Sequence, residues 1–96
     1  MFSSSTIVSA SSDQVSCDLA GEAAILNLNN GTYYGLDALG AEIWTLIQEP
    51  KSVSQVCETI ARDYDVEMAR CETDVVALFT ELHKEGLVQV QNAASA

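Results

Sequence analysis

The sequence predicts an α+β domain in which a three-stranded antiparallel sheet is followed by a three-helix bundle. Three observations carry that expectation. Alternating or continuous apolar runs occupy residues 14–36 and are interrupted by turn residues, first Ala20-Gly21 and then Asn29-Asn30-Gly31. From residue 38 the apolar residues recur at helical spacing, and Pro50 and the link "DYDVE" divide them into three segments. Ninety-six residues of which 48% are hydrophobic suffice for one modest core, hence one domain.

The first two strands are "QVSCDL" and "AAILNL", joined at Ala20-Gly21. The third is "TYYGL", and the loop before it decides which side chains share a face. A two-residue Asn30-Gly31 turn would pair Leu28 with Tyr33. A three-residue loop, Asn29-Asn30-Gly31 with Gly31 left-handed, pairs Leu28 with Thr32 and Leu26 with Tyr34. The second register gathers Ala24, Leu26, Leu28, Tyr34 and Leu36 on one face, so it is the one expected. It leaves Tyr33 on the other face beside Ile25.

Asp37 is placed to cap the first helix, whose stripe is Leu39, Ile43, Trp44, Leu46 and Ile47 before Pro50 stops it. Ser52 followed by Gln55 is a capping box, opening a helix with Val56, Cys57, Ile60, Ala61 and Tyr64 on its buried face. The third helix is expected from about Glu67 to Glu85, with Cys71, Val75, Leu78 and Leu82 as its stripe and Gly86 as its stop. The closing "LVQV" forms a short strand or simply packs down. The Ser-rich residues 1–12 and residues 92–96 are read as flexible ends, leaving 13–91 as the domain.

This element order is that of a winged helix-turn-helix variant. A DNA-binding version would carry cations on its third helix. Here that helix offers Glu67, Glu72, Asp74, Glu81 and Glu85 against Arg70, Lys84 and His83, and the whole chain has a formal net charge of −10. Phosphate backbones and anionic membrane surfaces are both repelled, so neither nucleic acid nor membrane is an expected partner. The N-terminus lacks a charged start and long apolar run, and no stretch reaches membrane-spanning length, so a cytoplasmic protein is expected.

No enzyme is legible. Cys17, Cys57 and Cys71 show no C-x-x-C spacing, and the latter two fall on apolar helical positions where a reduced cysteine is core filler. His83, the single histidine, lies near a helix C-terminus that favours a cation, with no second ligand or nucleophile at suggestive spacing. Gly31, Gly35 and Gly40 lack the spacing of a phosphate loop. No catalytic residue, metal site or cofactor is expected.

The strand "TYYGL" is the feature that remains. If sheet order follows chain order, its outer edge is open, without Lys or Pro to blunt it, and such an edge accepts a strand from a partner. Added hydrogen bonds return only about 0.5–1.5 kcal/mol each against about 1–2 kcal/mol to order each peptide residue. A docked strand therefore also needs apolar anchors in a groove, each worth about 1.5–3 kcal/mol. Val76 and Phe79, apolar residues beside the expected stripe of the third helix, would help to wall that groove.

The run "AAILNLNNGTYYGLDALGAEIWTLI", followed by "SVSQVCETIARDYDVEMARCETDVVALFTELHKEGLV", resembles the PqqD-like proteins over roughly residues 14 to 90. These are small recognition domains of ribosomally made, post-translationally modified peptides. The pieces that carry the resemblance are the "NNGTYYGLD" hairpin, the "ALGAEIW" helix, the "DYDVE" link, "DVVALFTEL" and the "EGLV" close; Glu67 departs from it where a capping Asp is usual. The resemblance implies capture of a precursor's leader segment as an added strand, and presentation of it to a maturation enzyme. Carried over by position, Thr32, Tyr33, Tyr34, Gly35 and Leu36 supply the edge, and Asp74, Val75 and Leu78 line the pocket, with Phe79 beside them. Within the family, the favoured reading is a stand-alone recognition protein of a lasso-peptide pathway, whose partners would be a leader peptidase and a cyclase, although free-standing length fits the alternative equally. The alternative partner is a radical-SAM enzyme, as in quinone-cofactor synthesis, and the alternative of another class is a winged-helix DNA binder.

Overall fold

Two small antiparallel sheets hold the strands. The computed structural model describes residues 2–92, in the order β1 (Thr6–Ala10), β2 (Gln14–Leu19), β3 (Glu22–Asn27), β4 (Tyr33–Leu36), α1 (Ala38–Leu46), β5 (Lys51–Ser52), α2 (Val53–Tyr64), α3 (Met68–Lys84) and β6 (Val88–Asn92). One sheet has the order β2-β3-β4 and is the expected three-stranded meander; the other has the order β5-β1-β6. The expected α+β, winged-helix-like layout is therefore present, with a second sheet added.

That second sheet corrects the reading of residues 1–12 as a flexible lead-in. Residues 6–10 form β1, with Thr6 and Val8 buried and Val8 paired with both Lys51 and Val90. The alternation Thr6, Val8 is a strand signal, but a short one inside a run of serines, and its partners lie more than forty residues away. The strand exists because β5 and β6 supply its hydrogen bonds. Of the tail at 92–96, Asn92 ends β6, and residues 93–96 lie outside the described residues.

The first hairpin turns at Ala20 (φ 56°) and Gly21 (φ 93°), the left-handed pair that a two-residue turn between twisted strands requires. The second hairpin follows neither register considered above. Leu26 pairs with Tyr33, Ile25 with Tyr34 and Ala23 with Leu36. The loop is four residues, Leu28 to Gly31, closed by Asn27 N–H to the Thr32 carbonyl at 2.9 Å and Gly31 N–H to the Asn27 carbonyl at 2.8 Å. Gly31 does take the left-handed conformation (φ 72°). Asn27 explains the longer loop. Its Oδ1 accepts from Asn29 N–H at 2.8 Å and its Nδ2 donates to the Glu85 carbonyl at 2.7 Å, so a polar side chain is buried at the strand end with both ends partnered. The inward face is therefore Ala23, Ile25, Asn27, Tyr34 and Leu36, while Ala24 and Leu26 turn outward and Leu28 is exposed.

The helices begin as expected. Asp37 accepts from Gly40 N–H at 2.8 Å, and Ser52 and Gln55 form the reciprocal capping box. The third helix begins at Met68 with Glu67 as its N-cap, but the Glu67 side chain makes no capping bond, and Gly86 (φ 75°) ends the helix. Its buried stripe is Cys71, Val75, Phe79 and Leu82. Phe79 and Leu78 thus exchange the places expected of them. Both Val75–Leu78 and Val75–Phe79 are helical spacings, and the choice is made by tertiary packing: Phe79 is fully buried and meets the Phe2 ring at 6.1 Å. Cys57 and Cys71 are core filler, as expected; burial, more than any neighbour, pushes the Cys57 thiol up to about 12.

Candidate functional site

A groove opens where β4 runs beside α3, and four elements build it. β4 brings Tyr34, Gly35 and Leu36; α1 brings Leu39, Gly40 and Ile43; α2 brings Ile60 and Tyr64; α3 brings Arg70, Cys71, Asp74, Val75 and Leu78. Its cavity is about 660 Å³, and its floor is apolar. Gly40 sits close under β4: a Cβ there would lie 3.1 Å from the Leu36 side chain, a tight contact that Leu36 would have to relieve by a few tenths of an ångström.

β4 pairs with β3 on one side and has no strand on the other among the described residues. The ladder identifies which backbone groups are unused. Asn27 N–H bonds the Thr32 carbonyl, and bonded pairs alternate along an antiparallel ladder. Tyr34 and Leu36 therefore bond β3, while the N–H and C=O groups of Tyr33 and Gly35 face the open edge. Tyr34 turns its side chain inward toward α3; burial raises its hydroxyl's pKa, and the Glu81 and Glu85 carboxylates raise it further. At the mouth, Arg70 Nε lies 4.0 Å from Asp74 Oδ2, both exposed, a weak pair free to exchange partners.

Of the nine residues expected at the site, Tyr34, Gly35, Leu36, Asp74, Val75 and Leu78 line the groove. Three do not. Thr32 precedes β4 and spends its carbonyl on Asn27 and its N–H on Asn30 Oδ1. Tyr33 offers backbone to the edge, but its side chain lies on the opposite face of the sheet, 69% exposed. Phe79 is core. The groove residues not among those expected are Asp37, Leu39, Gly40 and Ile43 at and within α1, Ile60 and Tyr64 of α2, Val66, Arg70 and Cys71. A signal existed for two of them: Tyr64 and Val66 are apolar residues crowded around an acidic link, and both are substantially exposed at the groove.

The family described as Coenzyme PQQ synthesis protein D (PqqD) matches residues 22–88, from the start of β3 to the start of β6. The chain belongs to the PqqD family. The matched span of this PqqD-family chain contains every element that lines the groove. Two solved structures share its fold. One is described as "TbiB1 in Complex with the TbiA(beta) Leader Peptide", at 32% identity and a TM-score of 0.80 over 84% of this chain and 94% of that one. The other is described as "Lasso peptide synthetase B1 complexed with the leader peptide", at 22% identity and a TM-score of 0.76 over 85% of this chain and 96% of that one. No protein with a curated description matches the chain. Among the described residues no helix is long and apolar enough to cross a membrane, and no group of three or more His, Cys, Asp or Glu is placed to hold a metal ion.

Proposed function

We propose that this PqqD-family protein binds the leader segment of a ribosomally made precursor peptide as a fourth strand on β4 and presents it to a maturation enzyme. The observation that carries the reading is the coincidence of an open strand edge, Tyr33 to Leu36, with an apolar groove of about 660 Å³ directly beside it. The edge supplies hydrogen bonds of generic strength, and the groove supplies the burial that must offset ordering of the peptide. The relative at 32% identity was solved with a leader peptide, which supports the same class of ligand here.

The chain acts by binding rather than catalysis in this reading. The enzyme it serves is a leader peptidase with its cyclase, as in lasso-peptide pathways; a radical-SAM enzyme of the quinone-cofactor type is the second reading, favoured by the description of the matched family. Of the winged-helix alternatives, DNA binding is opposed by charge, because α3 presents Glu72, Asp74 and Glu81, with Glu85 at its C-cap, where a recognition helix needs cations. Amide hydrogen exchange tests the placement. Leader peptide should slow exchange at the Tyr33 and Gly35 amides; slowing confined to β1, β5 and β6 would move the site elsewhere.

A further inference from the structure

The two adjacent tyrosines of β4 face opposite ways, and the groove accounts for only one of them. On the other face of the β2-β3-β4 sheet, the register aligns Val15, Leu26 and Tyr33 in one row across all three strands. Cys17, Ala24 and Gly35 form the next row. Val15 is 56% exposed, Leu19 52% and Tyr33 69%, and Leu28 follows in the adjoining turn. A Cβ added at Gly35 would meet nothing within 4 Å, so among the described residues nothing packs over this part of the face. An apolar row of this kind on a small acidic protein is the mark of an interaction surface.

The charge around it selects the occupant. The first basic residue in the chain is Lys51, so β1 to β4 and α1 contain no cation at all, while Glu22 shares the outer face with Leu19 and Asp13 precedes β2. A second copy would bring the same uncompensated carboxylates against themselves, and an anionic membrane would do likewise. We infer that the outer face of the β2-β3-β4 sheet is a second docking surface, taken by an apolar patch rimmed with Lys or Arg on the maturation enzyme. The inference rests on the proposed function for the identity of that partner, but on its own observations for the surface. Tyr33 joins the two sites: its backbone faces the open edge while its side chain lies in the apolar row. An enzyme seated there stands next to the strand position that a leader would occupy, and both can be held at once.

Cys17 lies within this face and is exposed, whereas Cys57 and Cys71 are buried, so its alkylation reports occupancy of the surface. The experiment is to time iodoacetamide labelling of Cys17 in the full chain with a purified leader peptidase of a lasso-peptide pathway, the partner that the proposed function assigns, with and without leader peptide. The expected result is labelling slowed about tenfold or more by saturating enzyme and little changed by leader alone, with Val15→Ser and Tyr33→Ser raising the enzyme concentration required by about tenfold, the effect of losing one well-packed anchor. Added salt should weaken the protection. Labelling at the free rate in the presence of enzyme, with and without leader, would overturn the inference. So would protection that grows with the concentration of this chain alone, which would assign the face to a second copy. Leader affinity measured on the same variants separates this from the groove: a protein that binds no leader but whose Cys17 is still protected by enzyme would refute the groove reading and leave the outer surface standing.

Discussion

Asn27 and Glu85 lie 58 positions apart and are joined by a 2.7 Å hydrogen bond from Asn27 Nδ2 to the Glu85 backbone carbonyl. The bond ties the turn before β4 to the C-terminal end of α3, and so holds together the ends of β4 and α3, between which the groove opens. Replacing Asn27 by Ala leaves that carbonyl without its donor and frees the hairpin end. We expect a loss of about 1–3 kcal/mol in urea unfolding, accompanied by weaker leader binding.

Ala20 holds a left-handed conformation (φ 56°) that an L-residue adopts at a cost of about 1–2 kcal/mol. Ala20→Gly removes that cost but adds unfolded-state entropy worth about 0.5–1 kcal/mol. The net expectation is a stabilisation of up to about 1 kcal/mol in urea unfolding, with leader affinity unchanged because this turn is remote from the groove.

The two tyrosine-strand prolines should behave differently. Gly35 N–H faces the open edge, so Gly35→Pro removes a donor needed by an added strand while sparing the ladder to β3. Tyr34 N–H is used within the sheet, so Tyr34→Pro breaks the fold itself. Circular dichroism melting alongside leader titration distinguishes them: Gly35→Pro should lose binding and retain most of its Tm, and Tyr34→Pro should lose both.

The Cys57 thiol predicts an alkaline sensitivity. Its pKa in the folded chain is about 12, against 9.0 for an unperturbed thiol. A pKa raised by folding means that the unfolded state releases the proton first, so the contribution is complete below about pH 9 and is lost as pH rises toward 12. Cys71 and Tyr34 shift in the same direction. Unfolding free energies of wild type and Cys57→Ala across this range should converge with rising pH, since the variant lacks the titrating group.

The helices were legible because their signals are local: Asp37, the Ser52–Gln55 pair, Pro50 and Gly86 each act within one turn of the residue they cap or stop. The open edge was expected only if sheet order followed chain order, and the order β2-β3-β4 meets that condition. What was not legible depends on residues far apart in the chain. The register of β3 on β4 goes with Asn27 reaching Glu85, β1 pairs only with β5 and β6, and Phe79 takes the buried place on α3 while Leu78 stays half-buried against the core. The groove's α1 and α2 walls were missed for the same reason, since a helix's own periodicity says which face is apolar but not which neighbour leaves part of that face uncovered.

The most direct test of leader recognition is a fluorescence-anisotropy titration of a labelled lasso-peptide leader segment against wild type and Leu78→Glu, with a DNA duplex as control. Leu78 is half-buried at the groove wall, so the substitution places a charge in the groove without emptying the core. Saturable leader binding at micromolar concentration or below, lost in Leu78→Glu and absent for DNA, is the predicted result. Equal leader binding by both proteins, or binding of the duplex in place of the leader, would contradict it.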